Sequence, residues 1–204
     1  MKEFVLLTLA ILTKSVDCTC EPGWEERPRD HVDPNVKNFR VCMRWFDYTW
    51  SYDPATLMPD DTPETNCFEL DSYLGSFGNQ DDFDWASTKS RGQGIITGGF
   101  KRKLCPTTPP QCKDHMTMFQ WSDPFTSQDM FNKVHFCAGE PNGALIPPED
   151  CLQLISYNGG KFCLNDLPCS YAAVDSSDEQ NKKIRRENAG YFCVKAAQEF
   201  EEYL

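Results

Sequence analysis

The sequence predicts an α+β domain in which two helices are followed by a set of short strands. Two helix-start signals lie near residues 62 and 79, and short β-prone runs separated by Pro- and Gly-rich stretches come after them. Helix and strand signals that occupy separate parts of a chain favour an α+β arrangement. At 204 residues the chain fits one domain that can bury a sizeable core.

The first predicted helix begins at Pro63, within the stretch DDTPETNCFEL. Thr62 can cap this helix, because a threonine side chain accepts hydrogen bonds from the N–H groups of the first turn. Proline suits the first helical position, and Glu64 and Thr65 suit the first turn. These signals predict a helix that starts at residue 63.

The second predicted helix begins after Asn79, within the stretch GNQDDFDWAS. Asparagine is a capping residue, and Asp82 follows it three positions later, as at many helix starts. Phe83 and Ala86 are three positions apart, which places both on one side of the helix, facing inward.

The predicted strands are short runs rich in β-branched, aromatic or other apolar residues. Turn-forming proline and glycine residues separate them. They read GIIT (94–97), MTMFQW (116–121), CLQLISY (151–157) and YFCVK (191–195).

The first 18 residues, MKEFVLLTLAILTKSVDC, have the layout of a secretory signal peptide. The apolar run from Phe4 to Leu12 is too short to cross a membrane, which needs about 20 residues. A cut after Cys18, or one residue earlier, would leave one mature domain over 19–204 with a short C-terminal tail. We therefore expect a secreted, extracellular protein without membrane insertion.

The chain contains 11 cysteines, of which a cut after Cys18 would leave an even number. In an exported protein this content predicts a disulfide framework, although the residues alone leave the pairing open. The net charge of −11 disfavours nucleic acid and anionic membranes as partners. The cysteines and histidines have no zinc-site spacing, whereas abundant carboxylates suit a hard cation such as calcium.

Two neighbouring stretches are rich in side-chain oxygens that could act as ligands. FCAGEPNGALIPPEDC spans 136–151, and NDLPC spans 165–169. Their Glu, Asp and Asn side chains provide carboxylate and amide oxygens, the ligand types that calcium prefers. The question is whether these short pieces form one site.

The order of motifs along the chain resembles that of the C-type lectin-like domain, from Cys20 to Lys195. Each motif is short, and their succession carries the resemblance. In order they are CEPGW (20–24), VCMRWFDYTW (41–50), ETNCFELDSYLGSFGNQDDFDW (64–85), FQWSD (119–123), GEPN (139–142), EDC (149–151), NDLPC (165–169) and YFC (191–193).

The resemblance implies a fold with two helices, two small antiparallel sheets and a long calcium-binding loop, held by disulfides. It implies three family pairings and leaves four cysteines that would form two pairs specific to this chain. The five expected pairs are Cys20–Cys42, Cys67–Cys193, Cys151–Cys169, Cys105–Cys112 and Cys137–Cys163.

The resemblance also implies one site for calcium and carbohydrate. In the family, the backbone carbonyl at the Asp166 position adds a sixth oxygen, and the bond before the Pro141 position is cis. Three crowded carboxylates would repel one another without a cation, so we expect calcium to order the loop. The implied side-chain ligands, for the ion and the sugar alike, are Glu140, Asn142, Glu149, Asn165 and Asp166.

The order Glu-Pro-Asn resembles the mannose-type variant of the family, which binds mannose, fucose or GlcNAc. Glu140 and Glu149 can accept hydrogen bonds from sugar hydroxyls, and the amides of Asn142 and Asn165 can donate them. Binding by one site would be weak, so avidity would require several copies, as in a homo-oligomer. Gly143 stands where many relatives have an Asp, which disfavours a second calcium site.

The chain departs from the family pattern in four places. GIITGGF (94–100) replaces the family's WIGL, and Leu164 and Phe136 stand where tryptophans are usual. The stretch SSDEQNKKIRREN (176–188) is a predicted solvated insertion, with a partner-binding loop as the alternative. These departures affect the loops more than the fold.

Three other functions were weighed against a calcium-dependent lectin. Catalysis is disfavoured because no Ser/His/Asp order, GxSxG or HExxH motif is present. A lectin-like domain that binds proteins without sugar is the main rival, and the retained ligand set disfavours it. A disulfide scaffold with accidental acidic loops would leave the order of motifs unexplained.

Overall fold

A computed structural model of the protein describes residues 18–47, 62–102, 118–129, 131, 135–142, 149–157, 161–169 and 188–199. Within these ranges the chain forms two helices and ten strands. In chain order they are β1 (Cys18–Thr19), β2 (Glu25–Pro28), β3 (Arg40–Asp47), α1 (Pro63–Glu69), β4 (Tyr73–Leu74), α2 (Gln80–Ser90), β5 (Gly94–Lys101), β6 (Phe119–Trp121), β7 (Cys151–Tyr157), β8 (Lys161–Leu167), β9 (Asn188–Ala196) and β10 (Gln198–Glu199).

The strands form one large sheet and one small one. The large sheet has the order β2-β3-β9-β5-β7-β8, with β4 paired to β9 and β6 to β5. The pair β5–β9 is parallel, whereas the other pairs are antiparallel. This mixed eight-stranded sheet replaces the two small antiparallel sheets that were expected, because β5 joins the N-terminal strands to the β7–β8 hairpin.

The ends of the described chain lie side by side. In the two-stranded sheet, β1 pairs antiparallel with β10, so that Cys18 is opposite Glu199. Next to this pair, β3 and β9 form a seven-residue antiparallel register from Val41↔Ala196 to Asp47↔Gly190. A signal-peptide cut after Cys18 would remove one of the two residues of β1. The predicted cut itself lies at the edge of the described residues.

Both helices begin where the sequence predicts. The Thr62 side chain accepts a hydrogen bond from the N–H of Thr65 (3.1 Å), and Pro63 is the first residue of α1. The Asn79 side chain accepts from the N–H of Asp82 (2.9 Å) at the start of α2. The second helix ends at Arg91, which has a left-handed backbone with φ 53°.

The main core lies between α2 and one face of the large sheet. Ala86 is fully buried, as predicted, and Phe83 is half-buried, with its ring 5.5 Å from that of Phe77. Trp85 is also buried, and its ring meets Phe192 edge-on at 5.5 Å. Leucines from the β7–β8 hairpin complete this core, which joins the helix to the strands that carry the acidic motifs.

A buried ion pair ties the N-terminal hairpin to α2. The guanidinium of Arg29 lies 2.7 Å from the carboxylate of Asp82, and both side chains are fully buried. Arg29 also donates to the hydroxyl of Thr126 (3.1 Å) and to the carbonyl of Ser76 (3.0 Å). Asp123 accepts from the N–H of Thr126 (2.7 Å) and from the hydroxyl of Ser76. These contacts connect three distant parts of the chain.

Four disulfides are present among the described residues, and all four belong to the expected set. They include the helix-to-strand link at the end of α1 and the two links around the β7–β8 hairpin. They are Cys20–Cys42, Cys67–Cys193, Cys137–Cys163 and Cys151–Cys169, with Cα separations of 5.6, 5.4, 5.0 and 5.0 Å.

Several expectations fall outside the described residues. These are the predictions for the Cys105–Cys112 pair, for Gly143, for the signal peptide up to residue 17 and for nearly all of the 176–188 insertion. In the part of the chain that the structure does describe, no helix is long and apolar enough to cross a membrane.

Candidate functional site

The segment that carries Glu140 is fixed along the free side of β8. Leu164 donates its N–H to the carbonyl of His135 (3.0 Å), and Cys137 donates its N–H to the carbonyl of Leu164 (2.9 Å). Phe136 therefore forms a parallel bridge with Leu164, and its ring packs 5.8 Å from that of Phe119. This backbone pairing brings the Glu-Pro-Asn motif to the strand that carries Asn-Asp.

A turn and a disulfide fix the position of Glu140 beside β8. The N–H of Glu140 donates to the carbonyl of Cys137 (2.9 Å), and Gly139 within this turn has φ +91°. A side chain is strained at such a positive φ, so glycine suits this position. The bond between Glu140 and Pro141 is cis. The disulfide from Cys137 then joins this turn to β8 at Cys163.

The other expected ligands lie on the β7–β8 hairpin. Asn165 and Asp166 are neighbours on β8, where they face Gln153 and Leu152 of β7. Glu149 lies two positions before the start of β7. The side chains of Glu149 and Asp166 are buried, with 6% and 2% of their surface exposed, whereas Asn142 is exposed. The site therefore has buried carboxylates on its inner side and an exposed asparagine on its outer side.

Hydrogen bonds connect the two halves of the site. The N–H of Asn142 donates to Oδ1 of Asp166 across 3.2 Å, and these residues are 24 positions apart. On β8, the amide Nδ2 of Asn165 donates to the backbone carbonyl of Asp166 across 2.8 Å. Asn142, Asn165 and Asp166 thus lie in one continuous set of contacts.

Glu140 shares this environment with two other carboxylates. Burial, the hydrogen bond and charge of Asp166, and the charge of Glu149 together raise the pKa of Glu140 to about 7, while the backbone of Asn142 opposes the shift. One carboxylate oxygen of Glu140, Oε2, is buried without a hydrogen-bond partner. The structure therefore brings the three acidic side chains close enough to disfavour their joint ionisation.

The three carboxylates do not converge on a single point. Among the described residues, no group of three or more His, Cys, Asp and Glu side chains is arranged to hold a metal ion. The hydrogen bonds explain this spacing, because Oδ1 of Asp166 is turned to the N–H of Asn142. The carboxylates of Glu140 and Asp166 are therefore neighbours that share a hydrogen bond.

The sequence analysis missed the groups that hold this site in place. The backbone of Leu164 accepts and donates the two bonds that fix the 135–137 segment, and its side chain is fully buried. Leu164 belongs to the main core cluster, and Phe136 packs against it. The signal was present in the sequence, since apolar residues directly before each polar motif indicate buried anchors.

No protein-family profile matches the sequence, and no curated protein matches it. Solved structures match over most of its length. A calcium-independent type II antifreeze protein is 18% identical, with 88% of this chain and 96% of that chain covered and a TM-score of 0.51. A Ca2+-dependent type II antifreeze protein in its Ca2+-free form is 15% identical, with 86% and 99% covered and a TM-score of 0.50.

The C-type carbohydrate-recognition domain of cow CD23, solved in the presence of a GlcNAc2Man3 oligosaccharide, is 16% identical. The alignment covers 89% of this chain and 99% of that chain, with a TM-score of 0.49. The fold conclusion rests on the two antifreeze proteins, whose architecture is the C-type lectin-like one. The predicted α+β, C-type lectin-like fold is confirmed.

Proposed function

We propose that the chain is a secreted carbohydrate-binding protein that recognises mannose-type glycans through calcium. The observation that carries the proposal is that Asp166 and Glu149 both interact with the side chain of Glu140. Burial raises the pKa of Glu140 to about 7, and the hydrogen bond and charge of Asp166 and the charge of Glu149 add to this shift, because neighbouring carboxylates repel one another. A divalent cation would remove that repulsion.

The residues present fit a calcium ion. Calcium takes six to eight oxygen ligands, and carboxylate, amide and backbone oxygens are its usual donors. The buried Oε2 of Glu140 is an acceptor that a cation would satisfy. The proposed ligands are the side chains of Glu140, Asn142, Glu149, Asn165 and Asp166, with the backbone carbonyl of Asp166 as the sixth oxygen.

Asn165 supports the same assignment. Its amide lies 2.8 Å from the carbonyl oxygen of Asp166, to which Nδ2 donates. The two ends of an amide exchange places by rotation about χ2, so the amide oxygen can take the position of the nitrogen. The amide oxygen of Asn165 and the backbone oxygen of Asp166 would then both be available to one ion.

The carbohydrate partner follows from the same groups. A calcium ion with open coordination positions can bind two neighbouring hydroxyls of a sugar, while the protein supplies donors and acceptors around them. Glu140 and Glu149 would accept hydrogen bonds from the hydroxyls, and the amides of Asn142 and Asn165 would donate them. We expect a dissociation constant of about 1 mM for one sugar at one site, because such contacts replace equally good contacts with water.

The rival proposal is a lectin-like protein-interaction module without sugar binding. A calcium-independent protein among the similar structures is compatible with it. Both proposals describe binding rather than catalysis. They differ in one measurable requirement, since only the lectin proposal needs calcium at the Glu140 site.

The decisive experiment is retention on mannose resin with calcium and with chelator. We expect retention in calcium, elution by chelator, and a rise in thermal stability as calcium is titrated. Retention that chelator leaves undiminished would rule out calcium as the sugar contact. A protein that neither binds the resin nor gains stability from calcium would favour the interaction module.

A further inference from the structure

Two exposed aromatic side chains, one on α1 and one on β4, line the same groove. Phe68 is 79% exposed and Tyr73 is 41% exposed. Phe68 lies four positions after Glu64 on α1, so the ring and the carboxylate share one helix face. Single exposed apolar residues are common on proteins, but adjacent ones beside a concavity are typical of binding sites.

A groove of about 360 Å³ lies between these elements. Its polar groups are already used inside the protein. The hydroxyl of Ser72 donates to the carbonyl of Cys67 (2.6 Å), and the hydroxyl of Ser122 donates to the carbonyl of Leu74 (2.9 Å). The surface left for a ligand is therefore mainly apolar. It is lined by Phe68, Tyr73 and Leu74, with Ser72, Ser122 and Glu64 beside them.

The groove is separate from the proposed sugar site. Strand β4 pairs with Cys193 and Val194 of β9, whereas β8 is separated from β9 by β5 and β7. None of the five proposed calcium ligands lines the groove.

The charges around the groove decide between partners. Glu64 lines the groove, Glu69 and Asp71 are exposed in the chain between Phe68 and Tyr73, and the whole chain has a net charge of −11. A second copy of the chain would bring the same acidic groups together, which disfavours a symmetric pair through this face. A basic partner would be attracted to the same groups.

We propose that this groove binds a basic protein segment, which inserts an apolar side chain between Phe68 and Tyr73. Flanking lysine or arginine side chains of the partner lie next to Glu69 and Asp71, and a cation can also lie over the exposed ring of Phe68. The apolar contact supplies the affinity, and the charges select the partner. This activity does not depend on the calcium site.

The test is an NMR titration of the isotope-labelled chain with an acetylated, amidated Lys-Leu-Lys-Leu-Lys peptide. Glu-Leu-Glu-Leu-Glu serves as the charge-reversed probe, and both titrations are run with calcium and with chelator. We expect the basic peptide alone to shift the signals of residues 64–74 and of Ser122, equally in both conditions. Phe68→Ser should weaken this binding by about tenfold, because a truncated aromatic anchor loses most of its contact area.

Val36→Ser is the matched control, since Val36 is 41% exposed and does not line the groove. It should bind the peptide as the parent does. Phe68→Ser should keep the parent's melting temperature because the ring is exposed. The proposal is overturned if no signals near the groove shift, if the acidic peptide binds equally well, or if these signals change with protein concentration alone, as they would in a dimer.

Discussion

Glu140 lies at the point where the two halves of the candidate site meet. Its backbone belongs to the turn that begins at Cys137, and its side chain contacts Asp166 of β8. Burial raises the pKa of this side chain, and Asp166 and Glu149 raise it further. The effect of charge on the stability of the site can therefore be tested by substituting Glu140.

The stability of the metal-free protein should fall as pH rises through the range that Glu140 titrates. Burial, Asp166 and Glu149 raise its pKa from 4.5 to about 7 in the folded state. Glu140 therefore holds its proton more tightly in the folded chain than in the unfolded chain. Its contribution to the free energy of unfolding is present at low pH and is lost towards pH 7. We expect Glu140→Gln to flatten this dependence in thermal melts recorded between about pH 4.5 and 7. An unchanged slope in the variant would contradict the assignment.

Glu149→Ala should weaken calcium binding. Under the proposed function, the substitution would remove an oxygen ligand and a charge that offsets the ion. We expect the calcium affinity to fall by more than about tenfold, since even outer groups around a metal can matter that much. Calorimetric titration measures it, and retention on mannose resin should fall with it. Glu69→Ala, the same change at an exposed helix residue, should bind calcium as the parent does; equal affinity in both variants would argue against Glu149 as a ligand.

The double substitution Glu140→Gln with Asn142→Asp should change the sugar and spare the fold. One charge is removed and one is added, so the total charge at the ion is unchanged. Donors and acceptors around the sugar hydroxyls exchange places, which resembles the galactose-type order of the family. We expect a preference for galactose over mannose, or loss of both, on a glycan array. Unaltered mannose binding would contradict a direct contact with these residues.

At the scale of elements, β8 is the strand on which the site is assembled. It pairs with β7 through all seven of its residues and with the 135–137 segment through Leu164. The disulfide between Cys137 and Cys163 adds a covalent link beside this pairing, and both cysteines are buried. The backbone pairing and the disulfide thus both hold the Glu-Pro-Asn turn to the strand.

Removing the Cys137–Cys163 disulfide should lower calcium affinity as well as stability. The double variant Cys137→Ser, Cys163→Ser opens a link between residues 26 positions apart, and Cys20→Ser, Cys42→Ser opens one of 22. Both should cost about 2–4 kcal/mol of unfolding free energy, because the loops are similar in length. Only the first should reduce calcium affinity, by about tenfold or more, since it frees the turn that holds Glu140. Equal calcium affinity in the two variants would contradict this role.

At the scale of the whole molecule, the buried polar cluster around Arg29 connects the N-terminal hairpin, α2 and the segment after β6. Asp82 lies 2.7 Å from Arg29, and it also accepts from the N–H of Gly78 (3.0 Å). A buried charge without its partner is very unfavourable, which makes the pair sensitive to substitution. The domain should therefore depend on this cluster as a unit.

Asp82→Asn should destabilise the fold by about 3–5 kcal/mol, because it leaves the guanidinium of Arg29 buried without a counter-charge. Asp84→Asn is the matched control on the same helix, where the carboxylate is exposed and accepts from Gln80 (2.8 Å). That change should alter stability by less than about 0.5 kcal/mol. Chemical denaturation of both variants measures the difference, and a similar small effect for Asp82→Asn would show that the cluster adapts.

Local sequence signals predicted the helices accurately and the strands in part. The caps Thr62 and Asn79 act through atoms three residues away, so their role is visible in the sequence itself. Strand β7 begins and ends where CLQLISY does, and β6 covers the described residues Phe119–Trp121 of MTMFQW. The β-prone runs gave no indication of β8, since LysPheCysLeuAsnAspLeu mixes polar ligands with core residues.

The residue types at the candidate site and their order can be taken directly from the amino-acid sequence, and the resemblance that they carry predicted the fold class and the pairing of the cysteines. Which atoms meet depends on the folded chain. The bond from Asn142 to Asp166 spans 24 positions, and the pairing of β5 with β9 joins the strands into one mixed sheet. Such contacts join distant residues and depend on how the whole chain packs, so they could not be predicted from local sequence. Caps and turns depend on near neighbours, so the local sequence predicts them.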